Sequence, residues 1–533
     1  MKKLLIIVIA IVISAIEGFT QTDTSNIYHN WFNKSPITDQ IYGAEIDRAY
    51  EQILKDKNPS TIIVAVIDGG IDITHEDLKD NIWVNKNEIP DNGTDDDHNG
   101  YIDDVHGWNF LGNANGENIS HENLEITRIY KQYKEKYSNI EPKTLSDSEK
   151  NTFDLFSQAR TMYFKNLNDA LSYKSKIETF EKTFYYSYDT ILTVLGKDTI
   201  EAYDLDSLST DNDTLNFHIN YLKNLYMNGF SADILKGMKD YSAEKVDYHL
   251  NLDFSPRDII GDDQNNLTES YGNNNVYGPE ASHGTFVAGI IAAKRDNGIG
   301  INGIAQNVQI MPLKVVPNGD ERDKDVAKAI RYAVDNGARI VNMSFGKDLS
   351  PQKQLVDEAI LYAEEKGVLL IHAAGNDAIN IDKVKQYPTK KISKEKIASN
   401  WITVGASSMN NDMEFAAVFT NYGKSMVDIF APGVDIESLA PESKYDIGDG
   451  TSFSAPVVSG VAALVLSYYP NLTCVELKEI ILNSSLNFSK EKIFLPSDDY
   501  YSKRKKSKFG KLSSTGGIVS AYEALKLAEK LNY

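Results

Sequence analysis

The run Thr61-Ile-Ile-Val-Ala-Val-Ile67 is apolar and rich in β-branched side chains, and it ends at Asp68-Gly69-Gly70. A segment apolar at successive positions, rather than alternate ones, reads as a strand buried on both faces. Strands of that kind belong to parallel sheets covered by helices on two sides, so this run predicts an α/β fold. Asp68 stands at the carboxyl end of the strand, where open α/β sheets build their sites.

Two further segments carry chemistry-bearing residues. In Ala281-Ser-His-Gly-Thr-Phe-Val-Ala-Gly-Ile-Ile-Ala-Ala293, His283 opens an apolar helix whose Gly and Ala residues permit close packing. In Gly450-Thr-Ser-Phe-Ser-Ala-Pro456, Ser452 stands between a glycine-rich approach and a buried helical run, Val457 to Tyr469. A helix starting at Ser452 sets backbone N–H groups and a positive dipole end beside its hydroxyl, which suits a nucleophile and a developing oxyanion. Alone, the pattern also fits an ordinary N-cap followed by a first-turn proline. The chain order Asp68, His283, Ser452 favours the catalytic reading, because that is one of the known orders of a serine triad.

The segments VAVIDGGID, SHGTFVAGIIAA and GTSFSAP resemble the three active-site motifs of the subtilisin-like serine peptidases, and they occur in the required order. A fourth segment, Leu369-Leu-Ile-His-Ala-Ala-Gly-Asn376, is similar to the strand that ends in that family's oxyanion-hole asparagine. Gly516 to Leu525 is similar to its last helix. The resemblance covers about residues 40–116 and 270–527. It implies a three-layer fold with a central parallel sheet, and a serine endopeptidase acting on proteins or peptides through an acyl-enzyme. It also implies that Ser344, Phe345 and Gly346 pair with the substrate backbone, and that Ala373, Ala374 and Gly375 line the first specificity pocket. Small walls of this kind predict a roomy, mainly apolar pocket.

The residue types suit that chemistry. A serine hydroxyl is a poor nucleophile at neutral pH unless a base takes its proton. His283 can accept that proton and pass it to the leaving amine, since imidazole titrates near neutrality. Asp68 would accept from the other ring nitrogen and stabilise the imidazolium. The Asn376 amide and the Ser452 N–H would meet the oxyanion. His75 lacks a following Gly-Thr and a small-residue helix and reads as structural; His372 lies within an apolar strand and reads as a hydrogen-bonded core residue. Asp72 either braces the loop after Asp68 or is solvated. Neither a Gly-x-Ser-x-Gly elbow around Ser452 or Ser344 nor a His-Glu-x-x-His helix occurs, which argues against an α/β-hydrolase and a zincin.

The net charge of −21 argues against nucleic acid or an anionic membrane as partner. Met1-Lys2-Lys3 followed by the apolar Leu4 to Ala15 reads as a secretory signal, placed at residues 1–20, with an uncleaved anchor as the alternative. The expected product is an exported, periplasmic or secreted protein without stable membrane association, with a monomer favoured. Cys474 is the only cysteine, so no intramolecular disulfide can form.

Asp68 and His283 lie too far apart in the chain for one strand–helix–strand step, which requires an insertion. We place it at 117–272, interrupting a peptidase domain of residues 21–116 and 273–533. Phe153, Phe156, Ala159 and Tyr163 recur there at helical spacing, and the segments 124–137, 149–171 and 177–195 read as long helices, hairpin-forming in one reading. Such an insertion either gates the active site or recruits a partner. Before it, Asp95, Asp97, Asn99, the Tyr101 carbonyl and Asp103 follow the alternating oxygen-ligand spacing of an EF-hand-like Ca²⁺ loop, with Gly100 at the turn. The glutamate expected at the twelfth position is replaced by His106, so a plain acidic turn stays open. Only about residues 20–59 precede the first strand, where many secreted members of the resembled family carry an inhibitory propeptide; either the enzyme folds without one or the insertion restrains it. A reading from another class is a catalytically silent scaffold that presents the insertion.

Overall fold

The structure is a computed structural model that describes residues 28–264, 266, 268–497 and 504–531. The signal-like segment 1–20 therefore lies outside the described residues. The described chain divides into two compact units, one of residues 126–254 and one formed by the described residues of 28–125 and 255–531.

The larger unit is built on a nine-stranded sheet. Its strand β1 (Ile62–Asp68), third from one edge, is flanked by β3 (Val308–Lys314) and β4 (Ile340–Met343). β2 (Trp108–Asn109) closes the edge beyond β3, while β5 (Leu369–Ala373), β6 (Trp401–Ser407) and β7 (Ile429–Pro432) follow β4 in order. All these pairings are parallel, with Asp68 opposite Lys314 and Ile67 opposite Met343. The expected burial of β1 on both faces is observed. Val64 and Val66 pack into one hydrophobic cluster, and Ala65 and Ile67 into another on the opposite face.

Helices form the two outer layers. On one face lie α1 (Ala281–Ala292) and α4 (Thr451–Tyr468), which contribute Val287, Ile290, Val458 and Val461 to the first cluster. On the other lie α2 (Asp323–Asp335) and α3 (Lys353–Glu365), which contribute Ile330, Ala333, Val356 and Ile360 to the second. This is the three-layer α/β architecture expected from the strand pattern. Among the described residues α4 alone is long and apolar enough to cross a membrane, but 83% of that stretch is buried inside the protein. It is the core helix that carries Ser452.

The smaller unit is helical. Its main element, Asp147–Leu195, is a single helix of 49 residues. The segments 149–171 and 177–195 are thus continuous, because Ser172-Tyr-Lys-Ser-Lys176 between them contains neither proline nor glycine to stop a helix. The helix ends at Gly196, whose φ of 62° is the left-handed conformation of a C-terminal cap. Phe184, Ile191, Leu222, Leu225, Leu235 and Met238 form its core with helices Asp213–Met227 and Ala232–Glu244.

Candidate active site

β1 delivers Asp68, 2% exposed, to the carboxyl edge of the sheet, and the first turn of α1 delivers His283 to the same place. The His283 Nδ1 lies 2.8 Å from Asp68 Oδ1 and 3.0 Å from Oδ2. Gly69 N–H donates to Asp68 Oδ1 at 2.7 Å and holds the carboxylate in place. The residue after His283 must be small. A Cβ on Gly284 would stand 2.2 Å from the Gly70 carbonyl oxygen and 3.1 Å from Asp68 Cβ, so any side chain would push α1 away from the strand end. Asp72 N–H donates to Thr285 Oγ1 at 2.8 Å and fastens the same contact from the other side.

The His283 side chain keeps 40% of its surface open, while that of Asp68 is 3% exposed. Partial desolvation pulls its pKa down, but the charge of Asp68 and the hydrogen bond to it more than offset this, so the imidazole pKa is raised. The ring of Phe453 packs 5.7 Å from the imidazole and in turn lies 4.1 Å from Phe286.

Ser452 occupies the first turn of α4. Its Oγ donates to the Ser344 carbonyl at 3.2 Å, and no hydrogen bond joins it to His283 in this arrangement. Around it a buried chain of polar contacts ties α4 to β4. Ser344 Oγ donates to the Ser452 carbonyl at 2.7 Å, Asn342 Nδ2 to Ser344 Oγ at 3.0 Å, and Ser459 Oγ to Asn342 Oδ1 at 2.9 Å.

Asn376, three residues beyond β5, faces the same helix end. Its Oδ1 accepts from Thr451 N at 2.9 Å and Thr451 Oγ1 at 2.8 Å, which leaves Nδ2 as the free end of the amide. A Cβ built on Gly450 would sit 3.5 Å from Asn376 Nδ2 and 3.6 Å from Ser452 N. Two N–H donors therefore border one small space beside Ser452. Thr451 and Gly450, which shape that space, have no separate signal in the sequence beyond their place in the serine motif.

His372 lies inside β5, 5% exposed, and its Nε2–H donates to the Phe345 carbonyl at 2.8 Å. Burial pulls its pKa down to about 4, a shift that this bond only partly opposes. His75 is fully buried, accepts from Asp77 N–H and bonds the Lys444 carbonyl at 3.0 Å. Asp72 accepts from Thr74 N–H and Oγ1 and from Glu442 N–H, and so braces the loop after Asp68.

Ala373 and Ala374 line a cavity of about 440 Å³; Gly375 and Ser344 to Gly346 flank it without forming its wall. In the acidic loop, carboxylate oxygens of Asp95, Asp97 and Glu88 come within 4.8 Å of one another. Glu88 lay outside the ligand spacing, and the fold brings it in from the preceding turn. Burial raises its carboxyl pKa, its bonds from backbone N–H groups counter this, and the charges of Asp104 and Asp97 add to the rise. Asn99 Oδ1 accepts from Tyr101 N–H at 2.8 Å, and Asp103 turns toward the N–H groups of Asn92 and Gly93 at 3.0 and 2.9 Å.

A family model described as "Subtilase family" matches residues 60–516. The chain is 33% identical over 262 residues to "Thermophilic serine proteinase" of Bacillus sp. (strain AK1), covering 48% of this chain and 60% of that protein. It is 34% identical over 245 residues to "Cell wall-associated protease" of Bacillus subtilis (strain 168), covering 45% and 25%. It is 33% identical over 213 residues to "Subtilisin Savinase" of Lederbergia lenta, covering 40% and 73%. The chain thus spans less than two thirds of the first relative and a quarter of the second.

Proposed function

This chain belongs to the subtilase family, and from that premise we propose that it is an exported serine endopeptidase whose triad is Asp68, His283 and Ser452. The observation that carries the reading is the 2.8 Å hydrogen bond between Asp68 and His283, two residues 215 positions apart. His283 Nδ1–H donates to Asp68, which leaves Nε2 free as base. A change of the Ser452 rotamer moves Oγ from the Ser344 carbonyl to that nitrogen, and the hydroxyl proton passes to it as Oγ attacks the scissile carbonyl. The oxyanion forms in the space between Asn376 Nδ2 and Ser452 N. His283 then gives its proton to the leaving amine, and water repeats the sequence to release the acyl group. Ser344, Phe345 and Gly346 hold the substrate backbone by strand addition, next to the cavity that Ala373 and Ala374 border.

Export is supported by the charged and apolar N-terminal segment and by the relative named as cell-wall-associated. The acidic loop fits a hard dication, because Glu88, Asp95 and Asp97 converge and like charges so placed repel one another without one. We assign it Ca²⁺ in a structural role, with Asn99, the Tyr101 carbonyl and Asp103 as the remaining candidates for ligation.

The decisive experiment is casein hydrolysis by the protein lacking residues 1–20, with and without a serine-directed sulfonyl fluoride. Activity should be lost with the inhibitor and in Ser452→Ala; undiminished hydrolysis by that variant refutes the assignment.

A further inference from the structure

The cavity beside Ala373 and Ala374 has a lining whose charge runs against that of the chain as a whole. The chain carries a net charge of −21, yet Lys353, Lys383, Lys385, Lys391 and Lys394 all contribute to the lining, and Asp382 is the only acidic residue there. The remaining wall is largely apolar, with Ile381, Val384, Pro388 and Met426. The wall is mainly apolar, in keeping with the small side chains of Ala373 and Ala374, and the lysines of the segment beyond Ala374 add to its lining.

The acid in the lining is already committed. Asp382 Oδ1 accepts from the N–H groups of Ser425 at 3.0 Å and Met426 at 2.8 Å. Lys353 is also committed, with Nζ 2.5 Å from Asp357 Oδ1. Asp348 stands behind the lining, where Gln386 Nε2 donates to it at 3.2 Å. Among the described residues, the ammonium groups of Lys383, Lys385, Lys391 and Lys394 have no carboxylate partner, and all four side chains are exposed. Four unpaired cations around one cavity, in a chain whose other charges are mainly negative, make a local field that favours an entering anion.

The position of the cavity defines what enters it. Tyr387 in its wall exchanges backbone hydrogen bonds of 2.9 Å with Lys347, next to Gly346, while Ala373 and Ala374 lead directly to Asn376. A peptide paired along Ser344 to Gly346, with its carbonyl beside Asn376, directs the side chain on the acyl side of the scissile bond into this space. We propose that Lys383, Lys385, Lys391 and Lys394 make the enzyme selective for glutamate, and next for aspartate, at that position. The proposal rests on the peptidase reading for its relevance to catalysis, while the pocket's preference is a binding property of its own.

Two measurements on the full chain separate the two ideas. In the first, Ser452→Ala is titrated with product-like peptides that end in a free carboxyl group and differ only in the last residue: Glu, Gln, Leu or Phe. Glu should bind about tenfold more tightly than Gln or Leu, the sum expected of several weak ion pairs. Tighter binding of Leu or Phe overturns the proposal. In the second, wild type digests a peptide library and the residue preceding each cut is read by mass spectrometry. Glu should lead, and Lys383→Glu with Lys385→Glu should reverse the Glu-to-Leu ratio, as should Lys391→Glu with Lys394→Glu. Cutting after Leu or Phe, with Glu disfavoured, overturns the pocket assignment and leaves the peptidase reading intact. Glu-selective binding without hydrolysis does the opposite.

Discussion

Asn376 and Thr451 are joined twice, through the Thr451 N–H and its Oγ–H, both donating to Asn376 Oδ1. The two bonds fix which end of the amide faces Ser452. A third contact, Gly375 N–H to Thr451 Oγ1 at 3.0 Å, holds the hydroxyl itself. Thr451 is therefore a positioning residue, and Thr451→Val should lower kcat by roughly tenfold with little change in KM. Asn376→Leu should cost about 10²–10³ in kcat, a magnitude that comes from subtilisin itself and is carried over here. Equal losses in kcat/KM and kcat for Thr451→Val identify a transition-state effect; a rise in KM alone would assign Thr451 to substrate binding.

Gly450→Ala tests the same space by filling it. The added methyl group would stand within 3.5–3.7 Å of Asn376 Nδ2, Ser452 N and Ser452 Cβ, where the substrate oxygen belongs. The expected outcome is a loss of at least about 10²-fold in kcat/KM, the worth of one oxyanion donor. Those contacts are of ordinary van der Waals length, but the φ of 158° at Gly450 strains any side chain, so circular dichroism and a thermal melt of the variant must show the fold retained for the loss to report on this space.

Asp68→Asn should lower kcat by on the order of 10³–10⁴-fold, since the amide no longer fixes the tautomer or balances the imidazolium. Its pH profile is equally informative. His283 must be neutral to act as base, and its pKa is raised, so the acidic limb of wild-type activity should lie above the ordinary histidine value; in Asp68→Asn it should move to lower pH. In stability the sign is opposite. The Asp68–His283 pair contributes in full below the unfolded histidine pKa, and its contribution fades as pH rises through the folded one.

His372 behaves the other way. Its folded pKa of about 4 means that the unfolded chain binds this proton more readily, so stability is present above the ordinary histidine pKa and is lost as pH falls toward 4. The loss should reach on the order of 3 kcal/mol at full protonation. Urea melts of wild type and His372→Gln between pH 7 and pH 4 measure it. A smaller acid loss in the variant is the expected result.

Calcium should raise the melting temperature, and a chelator should lower it. A site that binds only the folded state gains about 4 kcal/mol at a thousandfold excess over Kd. Glu88→Gln with Asp97→Asn should abolish the shift, while Asp103→Asn should leave most of it, because Asp103 faces Asn92 and Gly93.

Asp68, His283 and Ser452 stood out in the sequence because each lies in a short local pattern: a strand end, a helix start, a Gly-Thr-Ser entry. The layered sheet was legible for the same reason, since apolar runs report burial directly. Glu88 was not legible, because a loop recruits it by tertiary packing and no spacing marks it. The role of Phe453 against His283 was hidden by its resemblance to any core aromatic. The single helix Asp147–Leu195 was readable in its period but not in its continuity, because polar residues at 172–176 read as a break when they merely sit on an exposed turn. The lysines around the cavity come from a segment with no regular period, so only the closed fold shows that they share one space.

The strand that bears Asp68 is paired on both edges, yet both of its neighbours lie far downstream: Ile62 pairs with Val308 and Val64 with Ile340. During synthesis, at about 5–20 residues per second, this apolar segment waits on the order of 10–50 s for its first partner. Meanwhile residues 126–254 are completed and have a hydrophobic core of their own to close. Site and biogenesis thus meet in one segment: the strand that presents Asp68 is also the first one made, and it waits through about 240 residues of synthesis for a neighbour. A chaperone that holds the nascent chain would have most to shield at residues 62–68.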